Sequence, residues 1–517
     1  MEQAASQVRC EDGPSDQGVG IVVDGSVQPV SVFNPGDTCW RTAQANRAAF
    51  LVASDAYFTA VLEALPKARH SILLLGWTFD PRTRLAPDGQ VGPAEPDQVG
   101  QVLLRLSAAR PDLDIRLLIW KSALPIAATQ QFFPHAARKW FAGTRIRFCL
   151  DDQVPFGACH HQKVLVIDDR LAFCGGGDIS VDRWDSWRHL PEDLRRVLPT
   201  RALHAPRHEM MMMVDGEAAS ALGDVFRDRW RRAGVADADL STDVGVSPSP
   251  EDLWPSHVTP HVTNTKVAIA RTLPAWRTQP VVDEIRRLTL DCIAHAREAI
   301  YLENQYFTSP LATEAIVARL VEPNGPEVVL ITTGNSPSWF DRITMDRARG
   351  AMLSRLRSAD AFGRFRAFYP TTSDGQNIIV HSKCSIFDDR VVRIGSANLN
   401  NRSLGFDTEC ELGLECTSRT ARKNLQVFRD ELVAHYIGVG AGEVAGARAA
   451  HGGLAAAIDA LNHSQRLRPI RTSPPSALDR FFSNYHLGDP ADVADSWRLH
   501  RRHKQLTAEA QRVLSGR

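Results

Sequence analysis

The stretch "HHQKVLVIDDR", His160 to Arg170, decides how this chain is read, because "HSKCSIFDDR" returns from His381 to Arg390 with the same spacing. Each copy runs histidine, any residue, lysine, four residues, aspartate: His161, Lys163, Asp168, then His381, Lys383, Asp388. The residues between are apolar, as in a strand buried on both faces, and the Asp-Asp-Arg that follows reads as a turn into another strand. Positions i and i+2 of a strand share a face, so each His and Lys can address one pocket. An imidazole can attack phosphorus or carry a proton, and an ammonium can hold non-bridging oxygens as charge builds on them. The correspondence continues through Asp169 with Asp389, Arg170 with Arg390 and Gly175 with Gly395, while Asp178 falls on Asn398. Because the identities gather on polar positions and the ribbon merely stays apolar, the repeat is a duplicated site.

The flanks repeat as well. In the first half a helix from Asp55, the strand "SILLLGW", the strand "DLDIRLLIW", the first ribbon, "HEMMMMVDG" and the helix "GEAASALGDVFRDRWRRAG" follow one another. The second half restates that order with "VVDEIRRLTLDCIAHAREA", "IYLENQYF", "EVVLITTG", "FRAFYP", the second ribbon, "ECELGLEC" and a closing helix, "ARKNLQVFRDELVAHYIG". The division is an extended arm over 1–30, a first half over 31–245, a linker over 246–260, a second half over 261–450 and an extension over 451–517. Met210 to Met213 read as strand core. Internal packing is the expectation for Phe132, Phe133, Trp140 and Phe141.

A chain of 517 residues suits two fused halves, and its 44% hydrophobic content supplies a large core. With 60 basic and 60 acidic side chains, no net field gathers polyanions, which makes a nucleic-acid substrate unlikely. The nine scattered cysteines suit a reducing compartment. No secretory signal opens the chain and no apolar run reaches the roughly 20 residues of a spanning helix. The expectation is a cytoplasmic or peripherally membrane-associated protein that meets lipid from outside the bilayer; export without a signal peptide is compatible with it.

"HHQKVLVIDDRLAFCGGGDISVDRWD", "ENQYF" and "HSKCSIFDDRVVRIGSANLNNRS" followed by "DTE" together resemble the motif blocks of the phospholipase D superfamily, in particular its eukaryotic-type members. The resemblance covers roughly residues 30 to 430. It implies an α/β fold duplicated as two mixed-sheet halves, flanked by helices, around one shared active site. It also implies transfer through a covalent phosphohistidine, with His161 as nucleophile and His381 as the acid, and with no cofactor and no metal. The activity it implies is phospholipase D hydrolysis of a glycerophospholipid to phosphatidate, with transphosphatidylation. The alternatives are a cardiolipin or phosphatidyl-alcohol synthase, or a phosphodiesterase or nuclease of the same superfamily. Water or an alcohol would be the acceptor.

Other residues take expected places around the two pairs. Lys163 and Lys383 offset phosphoryl charge. Asp168 and Asp388, near strand ends, are structural supports that bind backbone amides or a basic side chain. Gly176 and Ser396 lie on the Gly-rich step where a phosphate could approach the backbone, and Asn398 can donate to a phosphoryl oxygen. Asp178 can orient a lysine, His160 forms pocket wall or stands just behind it, and Trp184 is open between packing and substrate contact. Each histidine needs a carboxylate to fix its tautomer. Glu209, in "RHEMMMM", is the candidate for His161, and Glu409, in "DTECE", is its counterpart in the second half. "ACHH" packs Cys159, His160 and His161 together, but neighbours on a strand diverge and no metal-ligand spacing completes a shell.

Overall fold

A computed structural model describes residues 21–23, 26–28, 31–87, 97–122, 134–235, 251–472, 474, 476–493, 495 and 499–515. Among the described residues, seven strands of the first half enter the main sheet: β1 (Arg41–Val52), β2 (Ser71–Gly76), β3 (Asp114–Trp120), β4 (Arg147–Asp151), β5 (Val164–Ile167), β6 (Leu171–Gly175) and β7 (Met210–Asp215). Seven of the second half continue it: β8 (Val262–Leu273), β9 (Ala299–Asn304), β10 (Glu327–Ile331), β11 (Phe365–Pro370), β12 (Lys383–Phe387), β13 (Val391–Gly395) and β14 (Glu409–Glu415). With β15 (Leu467–Pro469) on one edge, they lie in the order β15-β11-β10-β9-β12-β13-β14-β8-β1-β7-β6-β5-β2-β3-β4.

Reading outward from the β8–β1 seam, the two halves have the same strand order. Both place three strands side by side in parallel, β2-β3-β4 and β9-β10-β11, and both attach the motif hairpin antiparallel to the first of them. Parallel neighbours require a crossover. The helices Val99–Ala109, Pro134–Trp140, Pro310–Leu320 and Trp339–Ala359 supply those connections. Antiparallel pairing of β1 with β8, from Val262 on Ala48 to Ile269 on Arg41, joins the halves into one sheet.

Strand alternation then sorts the core. Met210 and Met212 enter a cluster shared by both halves, together with Val166, Phe226, Ile269, Ile386, Leu412 and Phe428, whereas Met211 and Met213 face Leu74 and Phe173 in the first half's own core. Each buried side chain of that size contributes about 1.5–3 kcal/mol. The methionines are strand core filler.

Both motif hairpins close on left-handed turns: φ is +53° and +51° at Asp168 and Asp169, and +54° and +50° at Asp388 and Asp389. Two consecutive left-handed residues match the twist of an antiparallel hairpin, and aspartate tolerates that conformation better than most side chains.

At the ends, most of the N-terminal arm lies outside the described residues; within it Ile21–Val23 pairs antiparallel with Ser26–Gln28. Of the linker, 246–250 lies outside the described residues, while 251–260 is packed, with Leu253 and Trp254 buried and Asp252 paired with Arg47. Phe132 and Phe133 lie outside the described residues; Phe141 is buried and Trp140 is exposed. The C-terminal extension adds β15 to the sheet edge and the helices Leu454–Leu461, Ala477–Asn484 and Leu499–Ser515. Among the described residues no helix is long and apolar enough to cross a membrane, and the eight cysteines are free thiols.

Candidate active site

Each motif is zipped by main-chain bonds onto the other half. His161 N donates to Thr408 O (2.9 Å) and Thr408 N to Cys159 O (3.0 Å). In the mirror position His381 N donates to His208 O (2.8 Å), and Ile379–Val380 pairs in parallel with Arg207–His208. The next residue after Thr408 is Glu409, and after His208 it is Glu209. These pairings therefore carry each carboxylate across the seam. His161 Nδ1 lies 3.0 Å from both oxygens of Glu409, and His381 Nδ1 lies 2.9 Å from Glu209 Oε2. The expectation that Glu209 orients His161 is corrected: it holds His381, and Glu409 holds His161. Spacing within one half suggested the same-half pair; registry between the halves decides otherwise.

With Nδ1 engaged by a carboxylate, each ring keeps Nε2 as its free nitrogen. Burial, followed by the charges of Lys163 and Lys383, pushes His161 well below the ordinary histidine range. Burial, followed by Lys383, Arg207, Arg183 and Lys163, does the same to His381. Both lysines therefore act on both histidines. Burial pushes Glu409 up to about 7 against the pull of hydrogen bonds from Ser396 and Ser403.

The lysines are held from behind. Lys163 Nζ donates to His161 O (2.9 Å) and lies 3.3 Å from Asp178 Oδ2. Lys383 Nζ donates to His381 O (2.6 Å) and to Gln305 Oε1 (3.2 Å), and burial pushes it down to about 7. Asp178 also accepts from Trp77 N and Thr78 N, so it ties Lys163 to the end of β2. Asn398, at the matching position, is buried with its Oδ1 unpartnered.

Asp168 accepts from Arg69 N, His70 N and Ser71 N at 2.7–2.8 Å, and Asp388 from Arg297 N, Glu298 N and Ala299 N at 2.6–2.9 Å. Each fastens its motif hairpin to the start of the neighbouring strand. Two phosphate-binding expectations are corrected, because their groups are already used. Gly176 N donates to Met210 O, and a side chain there would meet His381 O at 2.9 Å and Lys383 at 3.4 Å, so the missing Cβ lets the halves approach. Ser396 donates its hydroxyl to Glu409 and its N–H to Cys410 O.

Of the two places expected for His160, the structure gives the one behind the pocket. It is 2% exposed, with Nδ1 3.0 Å from Thr408 Oγ1 and Nε2 2.9 Å from Asp151 Oδ2, beneath the motif. Trp184 is buried in the first half's core with Arg195 4.7 Å over its ring, which favours packing. Sequence reasoning did not single out Arg207 or Gln305; Arg207 and Arg183, the latter in the segment expected at the pocket rim, are both buried and both act on His381. Their signal was adjacency: Arg207 stands two residues before Glu209, and Gln305 two after Glu303. Behind the site His189, His208 and His435 bring ring nitrogens within 4.8 Å of one another, a set able to hold a metal.

Comparison with known proteins bears on the family. A family model described as "Phospholipase D" matches residues 64–310, and one described as "Cardiolipin synthase, PLD-like domain" matches residues 289–432. The chain is 23% identical over 463 residues to phospholipase D2 of Bos taurus, covering 71% of this chain and 49% of that protein. It is 24% identical over 425 residues to phospholipase D A of Dictyostelium discoideum, covering 69% and 32%. To phospholipase D alpha 4 of Arabidopsis thaliana it is 23% identical over 489 residues, covering 73% and 63%. It thus spans from about a third to under two thirds of these relatives' lengths. In fold it is similar to the phosphatidylserine synthase of Haemophilus influenzae, with a TM-score of 0.52 at 14% identity over 77% of this chain and 88% of that one.

Proposed function

We propose, for a chain that belongs to the phospholipase D superfamily and carries its phosphodiesterase and transferase chemistry, that it moves a phosphatidyl group from a glycerophospholipid to an alcohol. Water is the competing acceptor, giving phosphatidate. One observation carries the reading: both His-Lys pairs meet at one seam, and each histidine takes its carboxylate from the opposite half. Such an arrangement serves a reaction that needs a base and an acid on opposite sides of one phosphorus.

In this scheme His161 Nε2 attacks the phosphorus and the bond to the headgroup oxygen breaks. His381 Nε2–H gives its proton to the leaving alkoxide. The phosphatidyl group then sits on His161, and His381, now neutral, takes the proton of the incoming hydroxyl as its oxygen attacks and the P–N bond breaks. Lys163, Lys383 and the Asn398 amide hold the non-bridging oxygens. Glu409 and Glu209 stabilise whichever ring becomes cationic.

Transfer to an alcohol is favoured over simple hydrolysis for two reasons. The lysines and carboxylates are buried, which limits water in the site. The second half also matches the cardiolipin synthase type, while the eukaryotic phospholipase D likeness spans both halves at low identity. The exchanged assignment, with His381 as nucleophile and His161 as acid, fits the same geometry, because each ring has a carboxylate at Nδ1 and keeps Nε2 free.

The test is to give the full chain vesicles of phosphatidylethanolamine, phosphatidylcholine and phosphatidylglycerol with added ethanol or glycerol, and separately single-stranded DNA. New phosphatidyl-alcohol in the lipid mass spectrum supports the reading. Cleavage of DNA with no change in any lipid refutes it.

A further inference from the structure

We propose that His189, His208 and His435 form a divalent-cation site of the zinc class, separate from the reaction centre, which fastens the closing helix Arg419–Ile437 to the first half. His189 Nδ1 lies 2.9 Å from Asp185 Oδ2, His208 Nε2 lies 3.0 Å from Glu303 Oε2, and His435 Nδ1 lies 2.9 Å from Leu432 O. An acceptor at each of these positions draws the ring N–H there. Three lone pairs remain, on His189 Nε2, His208 Nδ1 and His435 Nε2.

The first two face each other at 3.2 Å. Two lone pairs at that distance repel unless a cation lies between them. A shared proton would satisfy those two nitrogens and leave the third without a partner; His435 Nε2 is indeed buried and unpartnered. A metal ion satisfies all three at once. The ring centroids are 5.2, 5.4 and 5.6 Å apart, and three imidazoles bound at about 2.0–2.1 Å to one tetrahedral ion have centroids roughly 5 Å apart.

The outer groups fit the same reading. A ligating histidine ordinarily gives its other N–H to a carboxylate or a backbone carbonyl; His189 and His435 meet that condition by hydrogen bond, and His208 Nε2 stands 3.0 Å from a carboxylate oxygen. Glu303 brings a negative charge toward a divalent ion, and so does Asp185, which it shares with Arg196. Three imidazoles select zinc, or cobalt in its place, over magnesium or calcium, which take oxygen ligands. His189 and His208 belong to the first half and His435 to the second, so the ion would cross the seam. It would also stiffen the motif, because His208 O receives the N–H of both His381 and Ser382, and Glu303 receives the Ser382 hydroxyl.

The experiment uses the full, tag-free chain incubated with zinc chloride, passed over a chelating resin and analysed by plasma mass spectrometry. Near-stoichiometric zinc is expected in the wild type, with its loss in His435→Gln and His189→Gln, and visible d–d absorption of tetrahedral type when cobalt replaces zinc. Because a variant could misfold, the wild type is also melted with and without a strong chelator, and a lower Tm on chelation is expected. No retained zinc in the wild type, or equal retention by the double variant His189→Gln/His435→Gln, overturns the proposal.

Discussion

At the residue scale, the chemistry turns on which carboxylate faces which imidazole. Glu409→Gln removes the charge beside His161 and leaves His381 with Glu209. Nitrogen-15 spectra of the histidine rings should therefore show the His161 tautomer redistributing while the His381 signals stay in place, and Glu209→Gln should show the reverse. Each variant should lose about 10²–10⁴ in turnover, the range for a misoriented general base. A shift of both rings by either variant would contradict the pairing. Lys383 gives a pH prediction. Its ammonium, pushed down to about 7 by burial, is charged below that value and neutral above it, so kcat/KM should fall as pH rises through about 7. Lys383→Arg keeps its charge at every accessible pH. It should lower the rate but move the alkaline limb upward; an unmoved limb would assign that limb to another group.

At the element scale, the motif hairpins depend on Asp168 and Asp388, each of which satisfies three backbone amides of a neighbouring segment. Asp168→Ala leaves those donors without a partner. It should cost about 3 kcal/mol or more in urea unfolding, while the folded fraction keeps its turnover per molecule. Turnover abolished with stability unchanged would instead place Asp168 in the chemistry. Much of this level was legible in the sequence. The spacing of His161, Lys163 and Asp168 and its return at His381 announced the hairpins, and the unbroken apolar runs announced strands covered on both faces. Gly176 and Ser396 were misplaced because a small residue beside a site invites a ligand in one dimension. In three dimensions the space at Gly176 is taken by His381 O, and the Ser396 hydroxyl by Glu409.

At the scale of the whole molecule, the duplication was legible but the crossing of partners was not. Which half's carboxylate reaches which histidine is set by pairing of His160 with Thr408 and of Val380 with His208, contacts between positions far apart in the chain. The three-histidine cluster was invisible for the same reason, since no local ligand spacing links His189, His208 and His435. One sheet through both halves implies one cooperative unit. Asp168→Ala and Asp388→Ala should therefore each lower the same single unfolding transition, observed by tryptophan fluorescence and far-ultraviolet dichroism together. Two separated transitions would mean that the seam between β1 and β8 does not couple the halves.

The most direct test of the central claim uses a phosphatidyl donor that needs no acid to leave, phosphatidyl-p-nitrophenol labelled at phosphorus, mixed with the chain and quenched in base. The account predicts an acid-labile label on His161 in the wild type, accumulation of that label in His381→Asn, where the acceptor is no longer activated, and none in His161→Asn. Label confined to His381 would exchange the two roles. Continued lipid turnover by the double variant His161→Asn/His381→Asn, with no labelled histidine, would contradict the shared site itself.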